Sequence, residues 1–275
     1  MASSPKVFRT SFHARSISLP SSPHPIIPEV EEILRSLKSS GVASSSSSIR
    51  NHLNGLHDLH GCLGDLLLLS ETQQLLDKES NGRSVDQILD GSLRLLDVSG
   101  VAKDSLFQMK EFTHELQSAL RRKGSDAKEA GKYVACRKNV KTSIQKTLRA
   151  LKHVQATKKE HESLCLLSML GEVEQVTLSV LESVLSLISG PKDKSLVSKL
   201  MHSKSISAED KNVNEFEKID AAMRSIAAQK TADISSIQSD LESLESGIED
   251  IEKGIECLFR QLIKNRVTLL NIISH

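Results

Sequence analysis

The chain has 275 residues, 38% of them hydrophobic, so it is long and apolar enough to bury a core of its own. Aromatic residues make up only 3%, with no Trp and one Tyr, which argues against a β protein and favours helices. The formal net charge of +1 excludes a chain that is basic or acidic throughout its length.

Proline and cysteine set two further limits. Five of the six prolines lie at or before Pro28, and only Pro191 interrupts the remainder, which is therefore free to be helical. The four cysteines are far apart and form no CxxC pair. We interpret them as small core residues in a reducing compartment rather than as a disulfide or metal set.

Residues 1–28 are rich in Ser, Pro and Arg and contain no acidic residue, so we expect a disordered tail. Within this tail, Arg15, Ser18 and Pro20 match the phosphoserine motif that 14-3-3 proteins bind. Ser18 would carry the phosphate, Arg15 lies three residues before it, and Pro20 would turn the chain out of the groove. The alternatives are a chance match in a Ser-rich tail and an organelle transit peptide, whose removal would discard the motif.

Beyond the tail, the apolar spacing predicts a succession of helices. Pro28 opens a short helix, which a flexible Ser-rich tract over 44–48 separates from a second helix over 49–69. A long helix follows over 85–122. We expect it to break near Gly124, where the basic segment described below begins its own helix.

The most apolar stretch, residues 164–188, predicts a helix at the centre of a bundle. Three glutamates interrupt the stretch, which makes a membrane crossing costly, so we expect no transmembrane segment. Gly190 and Pro191 form a strong stop signal at its end. The Ser- and Lys-rich residues 191–212 predict a linker.

A basic segment precedes this central helix. Residues 121–159 contain thirteen Lys and Arg against two acidic residues, a net charge of +11. The candidate basic surface comprises Lys132, Arg137, Lys138, Lys141, Lys146, Arg149 and Lys152. This surface fits a face that is solvated or paired within the protein, a site for anionic lipid, or a nucleic-acid surface. Since stacking aromatics are missing apart from Tyr133, we expect no nucleic acid as partner.

The strongest pattern is a heptad repeat from Ile234 to Ile272. Apolar residues recur at alternating steps of three and four over twelve seam positions, and only Asn265 interrupts them. The flanking positions are mostly acidic, so a parallel homodimer through this seam would bring like charges together. Residues 209–256 hold thirteen acids against five bases, a net charge of −8, and we expect them to pack on the basic segment within one bundle.

Few residues suggest chemistry. His57 and His60 could share a helix face and bind a metal, but Asp58 and Cys62 do not fall cleanly on that face. We therefore favour solvated or partly buried histidines. No Gly-rich phosphate loop, nucleophile elbow or pair of carboxylates stands out. We assign no catalytic, cofactor-binding or metal-binding residue, and we expect no cofactor and no enzymatic activity.

Four segments carry a family resemblance: RSISLPSSPHP at 15–25, TQQLL at 72–76, ILDGSLRLLDVSGVAKDSLFQMKE at 88–111 and EVEQVTLSVLESVLSLISGP at 172–191. They resemble the plant-specific protein family of unknown function related to the BYPASS proteins. The resemblance implies an all-helical protein without assigned catalytic residues and a link to root and shoot development. Because it extends into residues 15–25, it favours a tail that is retained over one that is removed.

Taken together, these patterns predict an all-α protein. An elongated helical bundle covers 29–190, and a long acidic heptad helix over 213–275, resembling a coiled coil, packs on it. We expect a non-enzymatic regulatory or scaffold protein of plant root and shoot development, controlled through its phosphorylatable tail. The alternatives are a peripheral membrane protein that uses residues 121–159 and an organelle-imported protein. We expect the protein in the cytoplasm or nucleus, or in the chloroplast if the tail is a transit peptide.

Overall fold

The structure, a computed structural model, describes residues 24–41, 45–78, 82–123, 127–157, 165–190, 214–229 and 233–274. These ranges contain eight helices and no strand, which confirms the predicted all-α class. The helices are α1 (Ile26–Ser39), α2 (Ser46–Leu68), α3 (Ser70–Lys78), α4 (Arg83–Lys123), α5 (Ala127–Thr157), α6 (Cys165–Ser189), α7 (Glu215–Ala227) and α8 (Ile234–Ile273). The motif of Arg15, Ser18 and Pro20 and the linker predicted over 191–212 lie outside the described residues.

The heptad helix α8 packs mainly against α2 and α4, and its seam is buried from Ile237 to Ile272. Arg50, near the start of α2, contacts Asp250 of α8, and further along both helices His60 meets Asn265, so α2 and α8 run parallel. Helix α4 runs antiparallel to α8. With 41 and 40 residues, α4 and α8 each extend about 60 Å and make the bundle elongated.

Two glycines on α8 allow α2 to approach closely. Gly247 and Gly254 lie one heptad apart and both face α2. A Cβ on Gly254 would lie 2.9 Å from Leu53 Cδ1 and 3.1 Å from Leu53 Cβ, and one on Gly247 would lie 3.2 Å from Ser46 Oγ. The α2–α8 contact therefore depends on the absence of side chains at these two positions.

Helix α6 lies at the centre of the bundle, as the sequence predicts. It contacts α1, α2, α4 and α5, and buried residues occur on most of its circumference. Gly190 ends the helix with a φ of +69°, and its amide donates to the Ser186 carbonyl at 3.0 Å. This left-handed conformation favours glycine, so the predicted stop signal is confirmed at Gly190.

The predicted helix boundaries need three corrections. Helix α2 begins at Ser46, so residues 46–48 of the Ser-rich tract are helical rather than a flexible linker. Helix α1 begins at Ile26 rather than at Pro28. The long helix predicted over 213–275 is divided into α7 and α8. Gln229 has a φ of 57°, which ends the helical path, and the Asp233 carboxylate begins a new helix by accepting from the Ser235 amide at 3.1 Å.

The predicted contact between acidic and basic segments is confirmed only for the part of the acidic segment that forms α7, and it is wrong for α8. The basic helix α5 packs on α7, the short acidic helix, whereas α8 packs on α2 and α4. The acidic edge of α8 therefore finds its cations mainly on α4 and α2: Lys110 Nζ lies 2.9 Å from Glu252 Oε2. Arg121, at the end of α4, lies 3.9 Å from Glu242. The long seam selects helices with complementary apolar faces, and surface charges alone are too weak to choose between them.

Candidate interaction surface on the basic helix

Helix α5 has one buried face and one exposed cationic face. Ala130, Tyr133, Val140, Ile144 and Leu151 are buried against the bundle. Five of the seven predicted surface residues are exposed, and we call them the basic face: Lys132, Lys138, Lys146, Arg149 and Lys152. The helical period separates apolar from cationic residues, so the bundle presents the basic face to solvent.

Arg137 does not belong to the basic face, which corrects the sequence prediction. Its side chain is only 4% exposed, and its Nε donates to Asp220 Oδ1 of α7 at 2.9 Å. The guanidinium also lies over the ring of Phe216, with 5.1 Å between its carbon and the ring centroid. Arg137 is buried because it follows Tyr133 by four residues and precedes Val140 by three, on the apolar side of α5.

Asp220 gathers three donors from α5. Besides Arg137, Tyr133 Oη donates to Asp220 Oδ1 at 3.3 Å, and Lys141 Nζ lies 2.7 Å from Oδ2. Burial raises the pKa of Tyr133, and the negative charge of Asp220 raises it further, so the phenol stays a donor. This cluster fixes α7 on α5 and leaves Lys141 half-buried, at the border of the basic face.

The charge of the basic face is concentrated toward the end of α5. Lys132 contacts Glu129 on the same helix, with 2.9 Å between Nζ and Oε1. From residue 130 to 157, however, α5 contains no acidic residue, while Lys146, Arg149 and Lys152 follow one another at steps of three. These three exposed cations can bind phosphate groups or carboxylates of a partner.

The histidines of α2 do not form a shared site. His57 is exposed, whereas His60 is buried, and its Nε2 donates to Thr177 Oγ1 at 2.9 Å because Thr177 donates its own hydrogen to the Val173 carbonyl. Asn265 donates to the His60 carbonyl at 2.9 Å. Burial lowers the pKa of His60 to about 4 and keeps the ring neutral. His60 therefore joins α2, α6 and α8 as a core residue.

Two features of the described residues bear on function directly. Within the described ranges, no group of three or more His, Cys, Asp or Glu residues is arranged to hold a metal ion. Among the helices given above, none combines the length and apolarity needed to cross a membrane.

Comparison with known proteins yields one family. The family model described as Protein BPS1 matches residues 52–272, from α2 to the end of α8. The matched region therefore includes the basic face, the Asp220 cluster and the whole heptad seam. No curated protein and no solved structure matches the chain.

Proposed function

The chain belongs to the Protein BPS1 family, and from this premise we propose that it is a non-enzymatic regulatory or scaffold protein of plant root and shoot development. The developmental role comes from the resemblance to the BYPASS-related proteins, with which this membership agrees. The scaffold role rests on the bundle, which presents side chains on rigid helices. We infer that acidic segments of partner proteins bind the bundle.

The basic face is the observation that carries this proposal. Lys146, Arg149 and Lys152 are exposed. Arg137 and Lys141, which precede them on α5, form ion pairs with Asp220. The chain thus separates cations that hold the fold from cations that remain accessible. An accessible cationic stripe on a rigid helix is suited to bind an acidic or phosphorylated partner.

We propose that the protein is regulated through its N-terminal tail, residues 1–28. Phosphate on Ser18 adds nearly two negative charges, which an arginine cluster of a 14-3-3 protein would bind. Arg15 and Pro20 supply the remaining parts of the motif. We propose that this phosphorylation controls access of partners to the protein.

Binding of the full chain to a 14-3-3 protein tests the regulatory part. The chain phosphorylated on Ser18 should bind in a calorimetric titration, and the Ser18→Ala variant, treated with the same kinase, should not. Ser16→Ala is the matched control, because it removes a neighbouring serine and leaves the motif. Failure of the phosphorylated chain to bind, or equal binding by the Ser18→Ala variant, would contradict the proposal.

A peripheral membrane protein is the second candidate, and the absence of acids from residue 130 to 157 favours it. Each cation near an anionic bilayer contributes about 1 kcal/mol, so reversing Lys146, Arg149 and Lys152 to Glu should abolish sedimentation with phosphatidylserine vesicles. The matched control reverses three dispersed exposed cations that lie outside residues 121–159: Arg35, Lys78 and Arg83. If the wild-type chain does not sediment with these vesicles at low salt, the membrane role is excluded.

A further inference from the structure

The outer face of α4 and α8 carries large apolar side chains that the bundle does not cover. On α4, Leu93 and Phe107 are 45% and 57% exposed. On α8, Ile263, Val267 and Leu270 are 43%, 49% and 39% exposed. Single exposed apolar residues are common on protein surfaces and need no explanation, so the question is whether these five are contiguous.

Contacts between α4 and α8 establish the register of the two helices, which places these residues relative to one another. Lys103 Nζ lies 5.7 Å from the centroid of the Phe259 ring, and Arg266 Nη1 donates to Ser92 Oγ. In this antiparallel register, Leu93 lies level with Val267. Ile263 and Leu270 lie one turn to either side of Val267, and Phe107 lies further along α4. The five side chains therefore line one side of the α4–α8 seam, where Lys103 and Phe259 lie between Phe107 and the other four. We call this set the apolar stripe.

Opposite charges border the stripe on its two sides. Asp90, Asp97 and Asp104 are exposed on α4 at steps of seven residues, which keeps them on one face. Lys253, Arg260 and Lys264 are exposed on the outer side of α8, where Arg260 also contacts Glu256 of the same helix, with 2.6 Å between Nη2 and Oε1. Across the face from α4 to α8, the exposed side chains are therefore first acidic, then apolar and then basic.

We propose that this face binds a second copy of the chain in a symmetric dimer. A two-fold axis parallel to α4 and α8 places the α4 side of one copy opposite the α8 side of the other. Each residue keeps its position along the helix direction. The acidic row of each copy would then face the basic row of the other at the same level. Leu93 of one copy would meet Val267 of the other at the centre. The face is therefore complementary to itself. A symmetric dimer requires such self-complementarity, whereas binding of a different protein does not.

The size of the stripe predicts how tight the dimer is. From Phe107 to Leu270 it spans about 25 Å, and two helices give it a width of about 20 Å. Such a contact is near the lower end for specific interfaces. We therefore expect a reversible dimer with a micromolar Kd. The proposal does not depend on the function proposed above, and it does not use the buried heptad seam.

Sedimentation equilibrium of the full chain over micromolar concentrations tests the dimer. The wild-type chain should dimerise, and the Leu93→Lys/Val267→Lys double variant should stay monomeric at the same concentrations. Leu75→Lys on α3 is the control, because Leu75 is similarly exposed but lies outside the stripe. A monomeric wild-type chain, or a dimer that the double variant leaves intact, would overturn the proposal.

Charge reversal tests the orientation of the two copies. Asp97→Lys and Lys264→Glu should each weaken the dimer tenfold or more, and the variant carrying both changes should regain most of the lost affinity, because the rows are complementary again. Equal melting temperatures of the four chains would show that the fold is intact. If the single changes have no effect, or the double change weakens the dimer further, the proposed two-fold axis is wrong.

Discussion

Arg137 and Asp220 are ionised side chains in the core between α5 and α7, and each side chain is only 4% exposed. Removing two charges from water is unfavourable, and their mutual attraction offsets this only when hydrogen bonds satisfy both groups. Tyr133 and Lys141 supply further donors to Asp220. Because Arg137 Nη2 is buried without a hydrogen-bond partner among the described residues, we expect the pair to contribute more to the positioning of α7 than to net stability.

Asp220→Ala should destabilise the protein by about 3–5 kcal/mol, because it leaves the Arg137 charge buried without a counter-ion. Urea unfolding of the full chain measures the loss. Glu32→Ala is the control, since Glu32 contacts Arg35 in a largely exposed ion pair, and it should change stability by less than about 1 kcal/mol. If the two variants lose equal stability, Asp220 does not compensate a buried charge.

The sequence does indicate that Arg137 and Asp220 are buried, although the net charge of each segment does not reveal it. Arg137 falls between Tyr133 and Val140 in the apolar stripe of α5. Asp220 falls between Ile219 and Met223 in the apolar stripe of α7. A charge within an apolar stripe indicates burial with a partner. Which charge pairs with which depends on the packing of α5 on α7, and no local pattern gives that.

His60 should make stability depend on pH. Its folded-state pKa of about 4 lies below the unfolded value of 6.5, so between these values the unfolded chain binds a proton that the folded protein does not. Stability therefore falls as the pH falls through this window, by about 3 kcal/mol in total from this residue. The folded-state ring resists protonation because it is buried.

Thermal unfolding at a series of pH values tests the role of His60. The difference in unfolding free energy between the wild type and His60→Gln should shift in favour of the variant as the pH falls from 6.5 to 4. His57→Gln is the control, because His57 is exposed and its replacement should leave the pH dependence unchanged. A parallel response of His60→Gln and the wild type would contradict a buried neutral His60.

At the scale of elements, the helices that sequence reasoning predicts best have long apolar periods. The seam of α8 and the apolar stretch of α6 repeat often enough that chance does not produce them, and both are buried as predicted. The coiled-coil character of α8 stays a prediction. Net charge correctly predicts that the acidic segment meets α5, which it does through α7, but it predicts the wrong partner for α8. The packing of α2 against glycines of α8 determines this contact instead. Predicting that contact requires knowledge of the packing faces of both helices.

Gly254→Ala should destabilise the protein by about 1–3 kcal/mol, because the new methyl group would lie against Leu53 Cβ, which is fixed by its backbone. The gain in helix propensity of about 1 kcal/mol does not offset this overpacking. Gly61→Ala on α2 is the matched control: a Cβ there meets nothing within 4 Å, so the same change should stabilise. Stabilisation by both changes, measured by urea unfolding, would refute close α2–α8 packing at Gly254.

In the whole molecule, the helices have three different packing or interaction surfaces, of which one is buried and two are exposed. The heptad seam is buried, the basic face of α5 is open to partners, and the α4–α8 stripe fits a second copy. Composition and family resemblance predict the all-α class, because 3% aromatic residues and few prolines leave helices as the main option. They do not predict how the faces are distributed, since this depends on which helices pack together.

We propose above all that this helical body is controlled through a retained, phosphorylated tail. The most direct test is the intact mass and N-terminal peptide map of the protein isolated from plant tissue. We expect a chain that still carries residues 15–25, with phosphate on Ser18. A mature chain that begins after Pro25 would contradict it, because import would have removed the docking motif and left the surfaces of the bundle as the only means of interaction.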